Sequence, residues 1–208
     1  PQWLAARGGW ETGFVVRRFG FFVEKVTETL GEYVDLWVTI NEPMVYVLEG
    51  YLVAQWPPQK KNKFLAARVL WNMARAHRRA HCVIHAWGAR RQRKVMVGIA
   101  NNVSSFHSYY KHRFLDQISV ALIDRFTNHL FYSLTRMRTH DFLGLNYYFH
   151  LRLKSVRHFL RGFIFGGASE DQPVEFEKSD IGWELFPHGI FDVCVDLKGY
   201  KKPIYITE

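Results

Sequence analysis

Two glutamates in this sequence stand where a carboxyl group could act on a bound molecule. Each follows a short apolar run: Trp37-Val38-Thr39-Ile40 leads into Asn41-Glu42-Pro43, and Ile204-Tyr205-Ile206-Thr207 leads into Glu208. Runs of continuous apolarity rich in β-branched and aromatic residues read as strands covered on both faces. The proline after Glu42 bars that strand from continuing. A third run, Phe142-Leu143-Gly144-Leu145, ends in Asn146-Tyr147-Tyr148, which offers amide and phenol groups. In parallel α/β folds such groups collect at the carboxyl ends of the strands. Two opposed carboxyls, one held protonated by its neighbour's charge and the other ionised, meet the requirement for cleaving a glycosidic bond. The same spacing fits glutamates that cap strands or pair with some of the 28 basic residues, and by itself favours that plainer reading.

Other constellations compete for attention. His77, His81 and His85 recur at i, i+4 and i+8, which aligns three imidazoles on one helix face and suits zinc; the plainer reading is a histidine row at a helix interface. Basic residues cluster from Arg75 to Lys94, where phosphates could bind, but a solvated outer helix face followed by a turn explains them as well. The 17 Phe, 10 Tyr and 7 Trp could build a sugar-binding surface without hydrolysis, though aromatic residues on core stripes are the commoner case.

The elements that must position these groups alternate between strand and helix. Strands are expected at Leu36 to Ile40, Val95 to Ala100, Phe142 to Leu145 and Ile204 to Thr207. Helices are expected at Phe14 to Leu30, stopped by Gly31, and at Phe64 to Trp87, Leu115 to Leu134 and Pro187 to Leu197. In the second of these, Leu65, Val69, Met73, Ala76, Ala80, Val83, Ile84 and Trp87 form one apolar stripe, with Arg68, Arg75, Arg78 and Arg79 opposite. Gly162 to Asp171 reads as a glycine-containing loop. This order is α/β, and a doubly wound sheet and a barrel both accommodate it. No Gly-x-Gly-x-x-Gly turn or Walker loop follows a strand, which disfavours nucleotide-binding versions.

Composition bounds the rest. The 208 residues, 48% hydrophobic and 23% charged, have the balance of a globular protein with a real core. No apolar stretch is long enough to span a membrane. A net charge of +9 raises the question of a polyanionic partner. Cys82 and Cys194 lack a disulfide or metal spacing and are expected to be free core thiols. The chain opens on Pro1 and closes on Glu208 directly after an apolar run, so it reads as one incomplete domain over residues 1–208, cut at both ends. No secretion signal can be judged from such a chain, and the cytoplasm is favoured.

Several segments, taken in order, resemble glycoside hydrolase family 1, the β-glucosidase family. Thr39-Ile40-Asn41-Glu42-Pro43 is similar to its acid/base motif and Ile206-Thr207-Glu208 to the start of its nucleophile motif. Also similar are Pro1-Gln2-Trp3-Leu4 with Gly8-Gly9-Trp10, Gly50-Tyr51 followed by Pro57-Pro58, Asn101-Asn102, Asp141 to Tyr148, and Ser179-Asp180-Ile181-Gly182-Trp183-Glu184. The resemblance implies part of a (β/α)8 TIM barrel, from about the end of its third strand to the end of its seventh. It implies a retaining glycosidase with Glu42 as acid/base and Glu208 as nucleophile. Asn41 would bind the sugar 2-hydroxyl, Tyr148 would contact the nucleophile, and Asn146 would be structural or line the site, with Asn101 or Asn102 on the leaving-group side. Before attack, the Glu208 charge and partial burial would raise the Glu42 pKa. No cofactor or metal is implied, and the partner is a small-molecule β-glycoside rather than nucleic acid or a membrane. Glu208 lacks the Asn-Gly that follows it in the family, and the stretch from Leu134 to Asp141 is shorter than usual. An open arc of strands leaves sheet edges and cannot close a barrel, so the isolated chain is expected to be inactive or nearly so.

Overall fold

The structure is a computed structural model that describes residues 1–108, 113–153 and 177–208. The loop expected over Gly162 to Asp171 lies outside the described residues. Four strands, β1 (Leu36–Asn41), β2 (Met96–Asn102), β4 (Leu143–Asn146) and β6 (Ile204–Ile206), form one sheet in the order β1-β2-β4-β6. A second, two-stranded parallel sheet pairs β3 (Ser105–Ser108) with β5 (His150–Leu153). β1 and β2 pair in parallel from Leu36↔Met96 onward. The remaining ladders also rise in step: Asp141 N–H donates to Val97 O and Leu143 N–H to Pro203 O, both at 2.8 Å. All four strands expected from the sequence are present within two residues of their expected bounds.

Continuous apolarity predicts that all four strands are covered on both faces. That holds for the two central strands: every residue of β4 and the five inner residues of β2 are buried. It fails for the flanking strands of this sheet, β1 and β6, where Leu36, Val38 and Ile206 are exposed. An edge strand has one unpaired side, and its apolar side chains find fewer neighbours.

The chain divides into two compact units. The first comprises Pro1–Asn101, Phe131–Gly144 and Lys202–Thr207. It contains α1 (Gln2–Ala5), α2 (Gly13–Leu30), α3 (Pro43–Val47) with a π turn over Leu48–Val53, and the long α4 (Lys63–Arg90). Asn62 caps α4, its side-chain oxygen accepting from the N–H groups of Phe64 and Leu65 at 3.0 and 3.1 Å. The apolar stripe of α4 faces inward as expected, with Val69, Met73, Ala76, Ala80, Ile84 and Trp87 buried. Ala80, Ile84 and Trp87 pack with Val23 of α2 and with Val95 and Val97 to form one core cluster. Full burial of a side chain such as Ile84 contributes about 1.5–3 kcal/mol.

Helix α2 ends where Gly31 suggests, but not through a left-handed cap. Gly31 has φ −59°, and the chain continues as a 3-10 turn over Gly31–Tyr33. The glycine is needed for contact instead: a Cβ there would sit 2.4 Å from the Trp87 ring.

The second unit comprises Asn102–Leu130, Leu145–Lys201 and Glu208. Its helices are α5 (Phe114–Asp124) and α7 (His188–Leu197). The single helix expected over Leu115 to Leu134 is interrupted: a π turn over Arg125–His129 separates α5 from α6 (Leu130–Thr135). Thr127, Asn128 and His129 are all buried within that turn. Ile123 and Leu153 centre a small core with Phe106, Val120 and Leu151 packed around them.

Among the described residues no helix is long and apolar enough to cross a membrane. Both cysteines are free, as expected, but neither is a core thiol: Cys82 is exposed and Cys194 half-buried.

Candidate active site

Glu42 is delivered by a strand that ends irregularly. The β1–β2 register shifts between Val38 and Asn41, which inserts a bulge ahead of the motif. Glu42 itself takes φ 45° and ψ 56°, a left-handed conformation that costs a non-glycine residue about 1–2 kcal/mol. The surroundings over-determine it. Its N–H donates to Ala100 O at 2.8 Å, and the buried Pro43 starts α3, whose Tyr46 N–H returns to Glu42 O at 3.2 Å. Bulge, left-handed turn and proline together re-aim the chain just after the strand, leaving Asn41 exposed and Glu42 half-buried. Thr39, two residues earlier, is tied to α4 through its hydroxyl and His77 Nδ1 at 2.7 Å.

In the second unit the end of β4 and Glu208 meet. Tyr147 N–H donates to Glu208 O at 3.1 Å, and Val103 N–H donates to Asn146 O at 3.0 Å. The first of these bonds sets Glu208 beside the Asn146-Tyr147-Tyr148 run, and the Tyr148 hydroxyl donates to Glu208 Oε2. Tyr147 is turned the other way. Its hydroxyl donates to Phe186 O at 2.8 Å, and burial pushes its pKa up to about 12, so it stays a neutral donor. Asn146 is wholly buried, Tyr148 half-buried and Glu208 exposed. Of the expected residues, then, Tyr148 and Glu208 are brought into contact and Asn146 stands two positions before Tyr148. Asn41 and Glu42 belong to the first unit. Asn101 is completely buried, whereas Asn102 is half-buried and accepts from the Ser104 hydroxyl at 3.4 Å.

Sequence reasoning missed what lies around Tyr148. The Trp183 ring is 5.8 Å from that of Tyr148 and 4.8 Å from that of Phe149. Next to it, buried Glu184 accepts from His150 Nε2 at 2.8 Å and from Arg152 at 3.0 Å. Burial alone would raise the Glu184 pKa, but the His150 and Arg152 bonds outweigh it and hold the carboxyl below its ordinary range. These partners lie more than thirty positions apart, and nothing in local spacing announces them.

The histidine row does not survive as a set of three. His77 Nδ1 is bound to Thr39, its Nε2 lies 2.9 Å from Thr139 O, and its ring stacks on His140 at 4.5 Å. Burial lowers His77 to about 4 and His140 to about 2, so both are neutral structural groups. His81 and His85 turn to Asp141 instead. The basic run is partly compensated: Arg90 and Arg93 pair with Glu28 and Asp35 at 2.7 and 2.9 Å.

The family model described as Glycosyl hydrolase family 1 matches residues 1–136, nearly two thirds of the chain. The chain belongs to glycosyl hydrolase family 1. Among family-1 relatives, the beta-galactosidase of Pyrococcus woesei is 28% identical over 97% of this chain and 47% of its own length. The chloroplastic beta-glucosidase-like SFR2 of Oryza sativa subsp. japonica is 30% identical over all of this chain and 32% of its own. The solved beta-glycosidase from Pyrococcus horikoshii superposes with a TM-score of 0.83 at 27% identity, covering all of this chain and 49% of that one. The family-1 chain therefore spans a third to a half of the length of these relatives. The α/β order expected from the sequence, part of a (β/α)8 barrel, is borne out by the solved family-1 fold.

Proposed function

We propose that the protein is a retaining β-glycosidase acting on small-molecule β-glycosides, and that residues 1–208 contribute one incomplete (β/α)8-barrel domain to it. The observation that carries this reading is the Tyr148 hydroxyl on the Glu208 carboxylate, in a chain that belongs to a glycosyl hydrolase family. A phenol donating to one carboxylate oxygen leaves the other oriented for attack, which suits a nucleophile better than a strand cap.

In this mechanism the second oxygen of Glu208 attacks the anomeric carbon while Glu42 gives its proton to the departing glycosidic oxygen. The C–O bond breaks, the aglycone leaves as an alcohol, and a glycosyl ester remains on Glu208. Glu42, now ionised, takes a proton from water; the oxygen of that water attacks the anomeric carbon and the ester bond breaks. Two inversions give net retention. The chemistry requires the two carboxyls about 5–5.5 Å apart. Asn41 would hydrogen-bond the sugar 2-hydroxyl, where charge-assisted contacts strengthen toward the transition state, and Asn146 would line the sugar pocket. No step calls for a cofactor or a metal.

Azide separates the two carboxyl roles in the native-length protein. With Glu42→Ala, azide should restore turnover of an activated aryl β-glycoside and give the β-glycosyl azide, because the ester still forms on Glu208. With Glu208→Ala, the product should be the α-azide. Two variants that yield the same anomer, or a Glu42→Ala enzyme that hydrolyses unactivated glycosides normally, would overturn the assignment.

A further inference from the structure

We propose that His81, His85 and Asp141 form a binding site for one divalent d-block cation of the zinc type, joining helix α4 to the approach of strand β4. The site is independent of the glycosidase reading.

Its donors come from a helix and from the turn that leads into a strand. His81 and His85 are one turn apart on α4, with ring centroids 4.3 Å apart. Asp141 stands two residues before β4, and the Val97 N–H donates to its Oδ2 at 2.8 Å, which orients the carboxylate toward the helix. His85 Nε2 lies 2.7 Å from that oxygen and His81 Nε2 lies 4.0 Å from it. One donor atom from each of the three residues falls within 4.8 Å of the others. Tetrahedral coordination at about 2.0–2.1 Å places donors about 3.3 Å apart. The two separations to Asp141 lie on either side of that value and all three donors lie within 4.8 Å of one another, so side-chain shifts on the order of 1 Å would admit an ion.

The chemistry of the donors agrees. His81 Nε2 is buried and has no hydrogen-bond partner, an arrangement that a metal lone-pair acceptor resolves. Two imidazoles and one carboxylate match zinc rather than calcium or magnesium. His85 and Asp141 also line a cleft of about 530 Å³, which provides entry and room for a water as fourth ligand. Lys202 lines the same cleft and opposes a cation, whereas Arg93, also on its wall, is paired with Asp35.

A second triad, Asp124, His129 and Asp196, shows why donor proximity alone is not enough. His129 Nε2 is 2.7 Å from Asp196 and its Nδ1 is 2.7 Å from the Tyr200 hydroxyl, so both ring nitrogens are engaged. That group has no unpartnered ring nitrogen, whereas His81 Nε2 of the first triad is unpartnered.

The test uses native-length protein stripped with a chelator and titrated with Co²⁺, followed by the visible ligand-field band of four-coordinate cobalt, and with Zn²⁺ by calorimetry. One equivalent should bind, undisturbed by excess Mg²⁺. His85→Gln and Asp141→Asn should each weaken binding by about tenfold or more, while Lys202→Gln should tighten it. Asparagine keeps an oxygen for the Val97 N–H, and His85 is part-exposed, so both variants should fold with wild-type circular dichroism. The proposal fails if the wild type binds no stoichiometric ion, if either ligand variant binds as tightly as wild type, or if Lys202→Gln leaves affinity unchanged.

Discussion

Replacing His129 by Gln should remove a share of stability that depends on pH in a defined window. The imidazole is nearly buried, with hydrogen bonds to Asp124 and Asp196 on Nε2 and to Tyr200 on Nδ1. The hydrogen bonds to Asp124 and Asp196 raise its pKa to about 9 against the opposing effect of burial. The folded pKa exceeds the ordinary value of about 6.5, so folding is favoured by the charged form. That contribution is fully present below about pH 6.5, declines as pH rises, and is gone above about pH 9. The gap between the two values sets a ceiling of about 3 kcal/mol. Asp124 and Asp196 have side chains 31% and 46% exposed, and solvent screening roughly halves this to about 1.5 kcal/mol. Urea unfolding from pH 6 to 9.5 checks it. The Cys194 thiol, pushed up by burial, adds a loss of the same sign near the alkaline end. The quantity to read is therefore the wild-type minus His129→Gln difference, which should shrink by about 1.5 kcal/mol over the range. A difference that stays level with pH would refute the reasoning.

Other outcomes follow from single contacts. Gly31→Ala places a methyl into the Trp87 ring and should lower stability by about 2 kcal/mol in urea. Asn62→Ala removes both acceptor contacts at the start of α4 and should lower stability by about 1 kcal/mol, without changing the dependence on denaturant concentration. Tyr148→Phe in the native-length protein should reduce kcat for glycoside hydrolysis by about tenfold to a hundredfold with a smaller change in KM, because the lost donor serves Glu208 and not the sugar.

The strands were legible because each is a short apolar run stopped by a polar or proline-bearing turn, as at Asn41-Glu42-Pro43. Helix α4 was legible because its stripe repeats cleanly over six turns. What stayed hidden depends on partners far along the chain or on backbone geometry. Gly31 looks like a helix stop until Trp87, fifty-six positions later, is seen against it. The π turn at Arg125–His129 is a matter of which backbone groups pair, and the residue types do not reveal it. β3 and β5 are four residues each and too short to show a period. At the site, the residue types were readable from sequence, and so was the expectation that Tyr148 meets Glu208. The left-handed turn at Glu42 and the Trp183 ring beside Tyr148 were not, since neither leaves a mark in local spacing.

In the proposed mechanism Glu208 forms the covalent bond to the sugar. Incubating the native-length protein with a 2-deoxy-2-fluoro-β-glycosyl fluoride, which slows release of the ester more than its formation, tests it most directly. Peptide mass spectrometry should find one fluoroglycosyl group, located on Glu208, and none in a Glu208→Gln variant. A label on another carboxylate, or inactivation that persists in Glu208→Gln, would contradict the account.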